Sequence, residues 1–270
     1  MIDTLIYAIT GLFVVFLGAS IGSFINVVVY RIPAGLSLLW PPSRCPHCLS
    51  RLKATENIPV FGWLRLKGKC AHCKSPISKR YPLIEATGAL LFLLVYSHFG
   101  IQLQTLGYWA FFSWLLALSL IDFDTMTLPN PLTQSGLVVG LIFQIILGIY
   151  NNNLIPQIMF GIFGMVLGIW LLDIISITGS LAFGRTAMGA GDAKLAAMMG
   201  AWLGWKYLLV AGFLACSIGA LAGSTGIALG WLERNKPMPF GPFLALGAGI
   251  TAIWGEPLLN AYLKIFFPLY

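Results

Sequence analysis

The sequence predicts an all-α polytopic membrane protein of about eight transmembrane helices, with a cytoplasmic four-cysteine, zinc-ribbon-like insertion between the first and second. Three observations carry that reading. The chain is 58% hydrophobic and only 9% charged, where a soluble domain is nearer 25% charged. Its apolar residues fall in blocks long enough to cross a bilayer core, which takes about 20 residues. Ten of its sixteen Lys and Arg residues lie between Arg31 and Arg80, in a single polar loop.

The N-terminal block carries Asp3 where a cleavable signal would carry Lys or Arg. It also runs on well past the length of a signal core. It therefore reads as the first span, Leu5–Tyr30. The others follow at Leu83–Phe99, Leu106–Ile121, Leu132–Tyr150, Ile155–Ile177, Asp192–Trp205, Tyr207–Leu232 and Phe240–Phe267. The sixth is the shortest. Asn151-Asn152-Asn153 forms a polar turn between the fourth and fifth. In the first span Gly11, Gly18, Gly22 and Asn26 share a face, and in the seventh so do Gly212, Gly219, Gly223 and Gly230. Both stripes suit close helix packing in lipid.

Orientation follows from the basic loop. A net charge of +7 would point to nucleic acid in a soluble protein. Concentrated beside a span, it is instead what the positive-inside rule places in the cytoplasm, and no nucleic-acid partner is expected. Counting from there puts Asp122 and Asp124 at the cytoplasmic end of the third span. Asp192 falls at the cytoplasmic end of the fifth–sixth connection. Arg185, Arg234 and Lys236 also fall inside, while Lys206 and Lys264 fall outside, against the trend.

Within the loop stand Cys45-Pro46-His47-Cys48 and Cys70-Ala71-His72-Cys73, with 21 residues between the pairs. Two tight thiolate pairs across a loop are the zinc-ribbon pattern, in which four sulfurs close a tetrahedron. Two disulfides are the competing reading, but cytoplasmic thiols stay reduced. Four cysteines fill the shell without His47 or His72. A filled shell leaves no open position, so the zinc would be structural and would fold a segment too small for its own core. Cys216 lies in a span and reads as a plain apolar residue.

The acids number nine, few enough to weigh singly, because carboxylates in or near hydrocarbon are costly and usually functional. Two motifs stand out: Ile121-Asp122-Phe123-Asp124-Thr125-Met126-Thr127-Leu128-Pro129 and Gly189-Ala190-Gly191-Asp192-Ala193-Lys194-Leu195. Gly189 and Gly191 beside Asp192 allow a non-helical backbone and close approach of another chain. Asp192 equally suits the first turn of a helix. Lys194 is an interfacial anchor or a partner to the carboxylate. Asp122 and Asp124 are two apart, so on a helix only one can readily face Asp192. Asp173 lies within the fifth span, and is read as part of a polar centre or the partner of a basic residue. Glu85 follows Lys79-Arg80 closely and reads first as an ion-pair partner. Two carboxylates brought together support general acid–base hydrolysis. No Ser/His/Asp set is available, because His47 and His72 lie in the ribbon and His98 at the far end of the second span.

Other signatures follow in order along the chain: Gly22-Ser23-Phe24-Ile25-Asn26-Val27 with Arg31-Ile32-Pro33, Arg44-Cys45-Pro46-His47-Cys48, Glu56-Asn57-Ile58-Pro59, Arg80-Tyr81-Pro82-Leu83-Ile84-Glu85 and Pro239-Phe240-Gly241-Pro242-Phe243. With the two aspartate motifs, this ordered set resembles the bacterial type IV prepilin peptidases, the bifunctional leader peptidases and N-methyltransferases of pilus and type II secretion systems. Gly189-Ala190-Gly191-Asp192 is similar to that family's Gly-x-Gly-Asp motif. The resemblance implies that Asp122 and Asp192 are catalytic, with Gly189, Gly191, Asp124 and Lys194 in support and Cys45, Cys48, Cys70 and Cys73 as metal ligands. It implies cleavage of a basic leader from a prepilin or pseudopilin after a glycine, at the cytoplasmic face of the bacterial inner membrane. Methylation of the new N-terminus by S-adenosylmethionine would follow. The expected division is a first transmembrane helix over 1–30, a zinc-binding and methyltransferase region over 31–81, and a transmembrane aspartyl peptidase domain over 82–270.

Methyl transfer is not visible in the residues themselves. The region 31–81 is far shorter than a Rossmann domain and holds no Gly-x-Gly-x-x-Gly turn. Two other classes fit parts of the pattern. A proton-coupled transporter would use Asp122, Asp173 and Asp192 as a relay across the bilayer, and an assembly protein would need the ribbon alone.

Overall fold

The computed structural model describes residues 2–184, 189–231, 233 and 238–266, with Ile2, Asp3, Thr4 and Phe183 as backbone only. Arg185, Arg234 and Lys236, whose sidedness the topology predicts, lie outside the described residues. The helices are α1 (Ile2–Arg31), α2 (Phe61–Arg65), α3 (Arg80–Phe99), α4 (Leu103–Thr125), α5 (Asn130–Tyr150), α6 (Leu154–Phe183), α7 (Ala190–Ala228) and α8 (Gly241–Phe266). Seven of them, all but α2, are long and apolar enough to cross a membrane. The chain forms two compact units, Met1–Ala117 and Leu118–Tyr270, divided within α4.

In the first unit, α1 and α3 run antiparallel. Thr10 Oγ1 lies 2.8 Å from Tyr96 OH, and Asn26 Nδ2 donates to Tyr81 O at 3.2 Å. Between these bonds the backbones nearly touch. A Cβ on Gly18 would lie 2.6 Å from Gly88 O, and one on Gly22 would lie 2.8 Å from Glu85 Cα. The first predicted stripe therefore packs through Gly18, Gly22 and Asn26. Gly11 has nothing within 4 Å of its Cβ position. The start of α4 joins this unit by stacking Trp109 on Phe92, with centroids 5.1 Å apart and planes 5° apart.

In the second unit, α7 packs against α5, α6 and α8. It holds the sixth and seventh predicted spans in one element of 39 residues. A straight helix of that length would measure about 58 Å, twice a hydrocarbon core. It is not straight, because Gly204 takes φ 71° and ψ 173°, a left-handed φ that glycine alone adopts without strain. A Cβ there would also overlap the Phe160 ring.

The chain reverses at this break. The limb before it lies along α6 with Gly168 against Ala196 and Gly164 against Gly200, while the limb after it lies along α8 with Gly247 against Ala211 and Gly219 against Phe243. Phe243 follows Gly241, which bonds Asp122, and Asp122 in turn interacts electrostatically with Asp192. That chain of contacts brings Gly219 back towards the level of Asp192, whereas a straight helix would hold them about 40 Å apart. The two limbs correspond in sequence to the predicted sixth and seventh spans, but α7 is a single candidate span, and its first limb, Ala190 to Leu203, reaches only about 21 Å, short of a hydrocarbon core.

The reversal strands carbonyls that would have bonded the next turn, and unsatisfied backbone in hydrocarbon is costly. Gln144 of α5 covers two of them, its Nε2 donating to Ala201 O at 3.2 Å and Trp202 O at 2.8 Å. Gln157 Nε2 donates to Gln144 Oε1 at 2.9 Å and fixes the amide's orientation.

The second predicted stripe packs less than expected. Gly219 and Gly223 meet side chains at 3.5 Å, while Gly212 and Gly230 have nothing within 4 Å. Closer backbone contacts are made by Gly164 and Gly168 on α6, Gly200 on α7 and Gly247 on α8 instead.

Candidate functional site

The carboxylate site is built within the second unit from the end of α4 and the starts of α5, α7 and α8. Helix α4 stops at Met126, whose positive φ of 52° and N–H bond to Asp122 O at 2.8 Å close the last turn. Pro129, at φ −63° and ψ 129°, then enters α5. This tight exit fixes Asp122 just inside the helix and turns Leu128 back towards α7. A Cβ on Gly191 would lie 3.0 Å from Leu128 Cβ, so a side chain at 191 would have to displace Leu128. Gly189 is extended, at φ −75° and ψ 143°, a conformation any residue adopts.

Asp122 is 5% exposed and Asp192 9% exposed. They are 70 residues apart in sequence and close enough to interact electrostatically. Each carboxylate is supported by a backbone amide at a helix start. Gly241 N–H, opening α8, donates to Asp122 Oδ2 at 2.8 Å, and the Gly189 amide preceding α7 supports Asp192. Such amides are ready anion donors. Gly241 also tolerates no side chain, as its Cβ would lie 2.6 Å from Asp122 Oδ2. Sequence reasoning took Gly241 only as part of a signature. The Gly-Pro step before an apolar run was the local signal for a helix start with room for an anion.

The other predicted residues separate clearly. Asp124 is exposed, on a different face from Asp122 as the helical spacing requires. Lys194 Nζ donates to Asn130 Oδ1 at 2.7 Å, so its partner is the first residue of α5 and not the carboxylate. Asp173 is exposed on α6. Glu85 accepts a bond from the Val60 backbone N–H at 2.6 Å, a backbone partner where a cation was expected.

In the first unit, the Sγ atoms of Cys45, Cys48, Cys70 and Cys73 all lie within 4.8 Å of one another. Cys45 and Cys73 are 3.7 Å apart, and Cys48 and Cys70 3.9 Å. A tetrahedron with sulfurs about 2.3 Å from a zinc ion has edges of about 3.8 Å, so the four fit a closed structural site. The two halves are built alike. Cys45 N donates to Ser50 O and Leu49 N to Cys45 O, just as Cys70 N donates to Ser75 O and Lys74 N to Cys70 O. Leu49 and Lys74 both take positive φ, at 59° and 61°. Isolated bridges Arg44–Arg51 and Lys69–Pro76 close the two knuckles. Backbone amides of Cys48 and then His47 hold the Cys45 thiol down, from an ordinary 9.0 to about 6. The knuckle amides thus favour the thiolate, the form that binds metal, at Cys45, and Cys73 is lowered too, while Cys70 is raised.

Comparison with known proteins gives matches over nearly the whole chain. A family model described as the bacterial peptidase A24 N-terminal domain matches residues 16–99, and one described as the type IV leader peptidase family matches residues 109–224. The chain is 37% identical to a prepilin leader peptidase/N-methyltransferase of Stutzerimonas stutzeri, covering 92% of each. It is also 37% identical to a protein of that name from Pseudomonas aeruginosa, over 93% of this chain and 92% of the relative. A third, from Aeromonas hydrophila, is 36% identical over 91% of each. No solved structure matches.

Proposed function

This chain belongs to the type IV leader peptidase family, and from that premise we propose that it removes the basic leader of type IV prepilins or pseudopilins and then methylates the new N-terminus. Cleavage follows a glycine, at the cytoplasmic face of the bacterial inner membrane, with Asp122 and Asp192 as the catalytic pair. The observation that carries this reading is the convergence of those two buried carboxylates, each backed by a glycine amide.

The chemistry follows from the pairing. Two close carboxylates hold one proton between them, and the titration belongs to the pair. The ionised member takes a proton from water as it adds to the scissile carbonyl. The protonated member donates to the carbonyl oxygen, and the leaving amine departs with a proton. Gly241 N–H and Gly189 N–H stay fixed on the carboxylates throughout, so little reorganisation accompanies the charge shift. Asp124, exposed beside Asp122, suits a contact to a basic leader.

Methyl transfer moves the methyl group of S-adenosylmethionine to the free amine, and the thioether leaves. The region 31–81 contains one five-residue helix, α2, and two isolated bridges among its described residues, so a Rossmann architecture is not its means. Cys45, Cys48, Cys70 and Cys73 would hold a zinc ion, which ties the loop together. The thiols' fit to a tetrahedron supports this.

The test is mass spectrometry of a purified prepilin incubated with the protein, with and without S-adenosylmethionine. A leader-sized loss plus a donor-dependent gain of one methyl is expected. Asp122→Asn and Asp192→Asn should each abolish the loss while methylation of a pre-cleaved pilin persists. Normal cleavage by either variant would sink the assigned pair.

A further inference from the structure

Between the two cysteine knuckles runs an uncharged stretch, Ile58-Pro59-Val60-Phe61-Gly62-Trp63-Leu64, flanked by Lys53 and Glu56 on one side and by Arg65 and Lys67 on the other. A run this short cannot cross a bilayer, so any contact it makes with a membrane is from one side. Its packing gives its depth. The Phe61 ring stacks on Phe16, with centroids 6.3 Å apart and planes at 23°. Phe16 lies about 22 Å along α1 from Arg31, near the middle of the candidate span Leu5–Arg31. Val60 N bonds Glu85, which lies a turn and a half inside α3 from Arg80. Both contacts are to the membrane-crossing parts of their helices.

Irregular backbone at that depth must have its polar groups satisfied. Phe61 N donates to Pro59 O at 2.6 Å, Gly62 N to Ile58 O at 2.8 Å and Leu64 N to Val60 O at 3.1 Å, all within the segment. Pro59 has no N–H. The Val60 N–H, turned outward by a positive φ of 61°, is met by the Glu85 carboxylate at 2.6 Å. Trp63 Nε1 is satisfied by Ile77 O at 3.1 Å. A β-branched residue avoids positive φ, so Val60 is held in place by its partner. The apolar side chains remain uncovered. Phe61 is 59% exposed and Leu64 56%; Phe16, on which Phe61 stacks, is exposed too, as are Leu12 and Phe13 one turn before it on α1.

We propose that Ile58–Leu64 is a re-entrant segment that dips into the leaflet on the side of the 31–81 loop, with Phe61 and Leu64 against lipid acyl chains. The occupant is lipid because this surface is continuous with the exposed apolar face of α1, a helix that crosses the bilayer. Glu85 is its positioning residue. It supplies an acceptor where water does not, which explains a carboxylate one to two turns inside a span.

The experiment places p-benzoylphenylalanine at 61 in the full chain, reconstituted in phosphatidylethanolamine/phosphatidylglycerol vesicles, and identifies the photoadducts by mass spectrometry. Phospholipid adducts at 61, and none with the same probe at 53, are the expected result. Adducts to another part of the chain, to a second copy, or to no lipid would overturn the proposal. Hydrogen exchange of the 58–64 amides gives a second readout. Glu85→Ala should speed exchange there by about tenfold, the loss of one hydrogen bond, while Glu85→Gln, which keeps an acceptor, should stay near the parent. Metal retention by the knuckles shows that each variant is folded. Equal exchange in Glu85→Ala and the parent would remove Glu85 from the proposed role.

Discussion

The Gly241 backbone N–H donates a 2.8 Å hydrogen bond to Oδ2 of Asp122, across 119 residues of sequence. The bond joins the start of α8 to the end of α4 and leaves no volume for a side chain at 241. Gly241→Ala should therefore lower prepilin cleavage by roughly a hundredfold through displacement of the carboxylate, with the protein still inserted at normal levels. Steady-state cleavage rates against immunoblot levels make the measurement. Asp124→Asn, altering an exposed residue offered to the basic leader, should raise KM with little change in kcat.

Lys194 reaches Asn130 at 2.7 Å and ties the start of α7 to the start of α5. Lys194→Met keeps the apolar stem and removes the donor. Its kcat should fall by about tenfold with little change in KM, because the loss acts on alignment. Asn130→Asp keeps an acceptor for Lys194 and should retain near-parent kcat. A pure KM effect in Lys194→Met would point to substrate contact instead.

Gln144 donates to the two carbonyls left by the Gly204 reversal. Gln144→Leu preserves volume and strands both, costing about 1–3 kcal/mol. Thermal unfolding in detergent should show a Tm several degrees lower. Gly204→Ala should be more severe, since its Cβ would overlap Phe160 in a backbone region alanine avoids.

The Cys45 thiol, held near 6, titrates below an unfolded cysteine. A depressed value means that the contribution to stability is fully present above the unfolded pKa and is lost as pH falls through about 6. In chelator-treated protein, iodoacetamide labelling of Cys45 should follow a thiolate titration centred near 6, well below the usual 8.5 of a free thiol. A midpoint near 8.5 would show that the knuckle amides do not act on this sulfur.

Much of this was legible in the sequence because membrane proteins write their constraints plainly. Long apolar blocks gave the spans, the rarity of acids drew attention to the two aspartate motifs, and the family resemblance selected Asp122 as the partner of Asp192. The four cysteines named their own cluster, and the repeated Cys-x-His-Cys-x-Ser pattern could have predicted two knuckles of one design. Contacts between distant segments were not legible. Gly241 and Gln144 act through partners 119 and 57–58 residues away, and a local pattern carries no trace of such a meeting. Lys194 was read as an interfacial anchor or a partner to the carboxylate, and Glu85 first as an ion-pair partner, because sequence shows charge and not neighbours. The structure gives them an amide oxygen and a backbone N–H. Glycine stripes misled for the same reason, since Gly11 and Gly212 meet nothing while Gly164 and Gly200 meet each other.

The Gly241–Asp122 bond also sets an order during biosynthesis. Asp122 emerges from the ribosome well before its donor, and Asp192 emerges between them. A nascent chain that has inserted α4 and α7 holds both acids but lacks the amide that steadies one of them. The Asp122 site is therefore completed only once α8 has inserted.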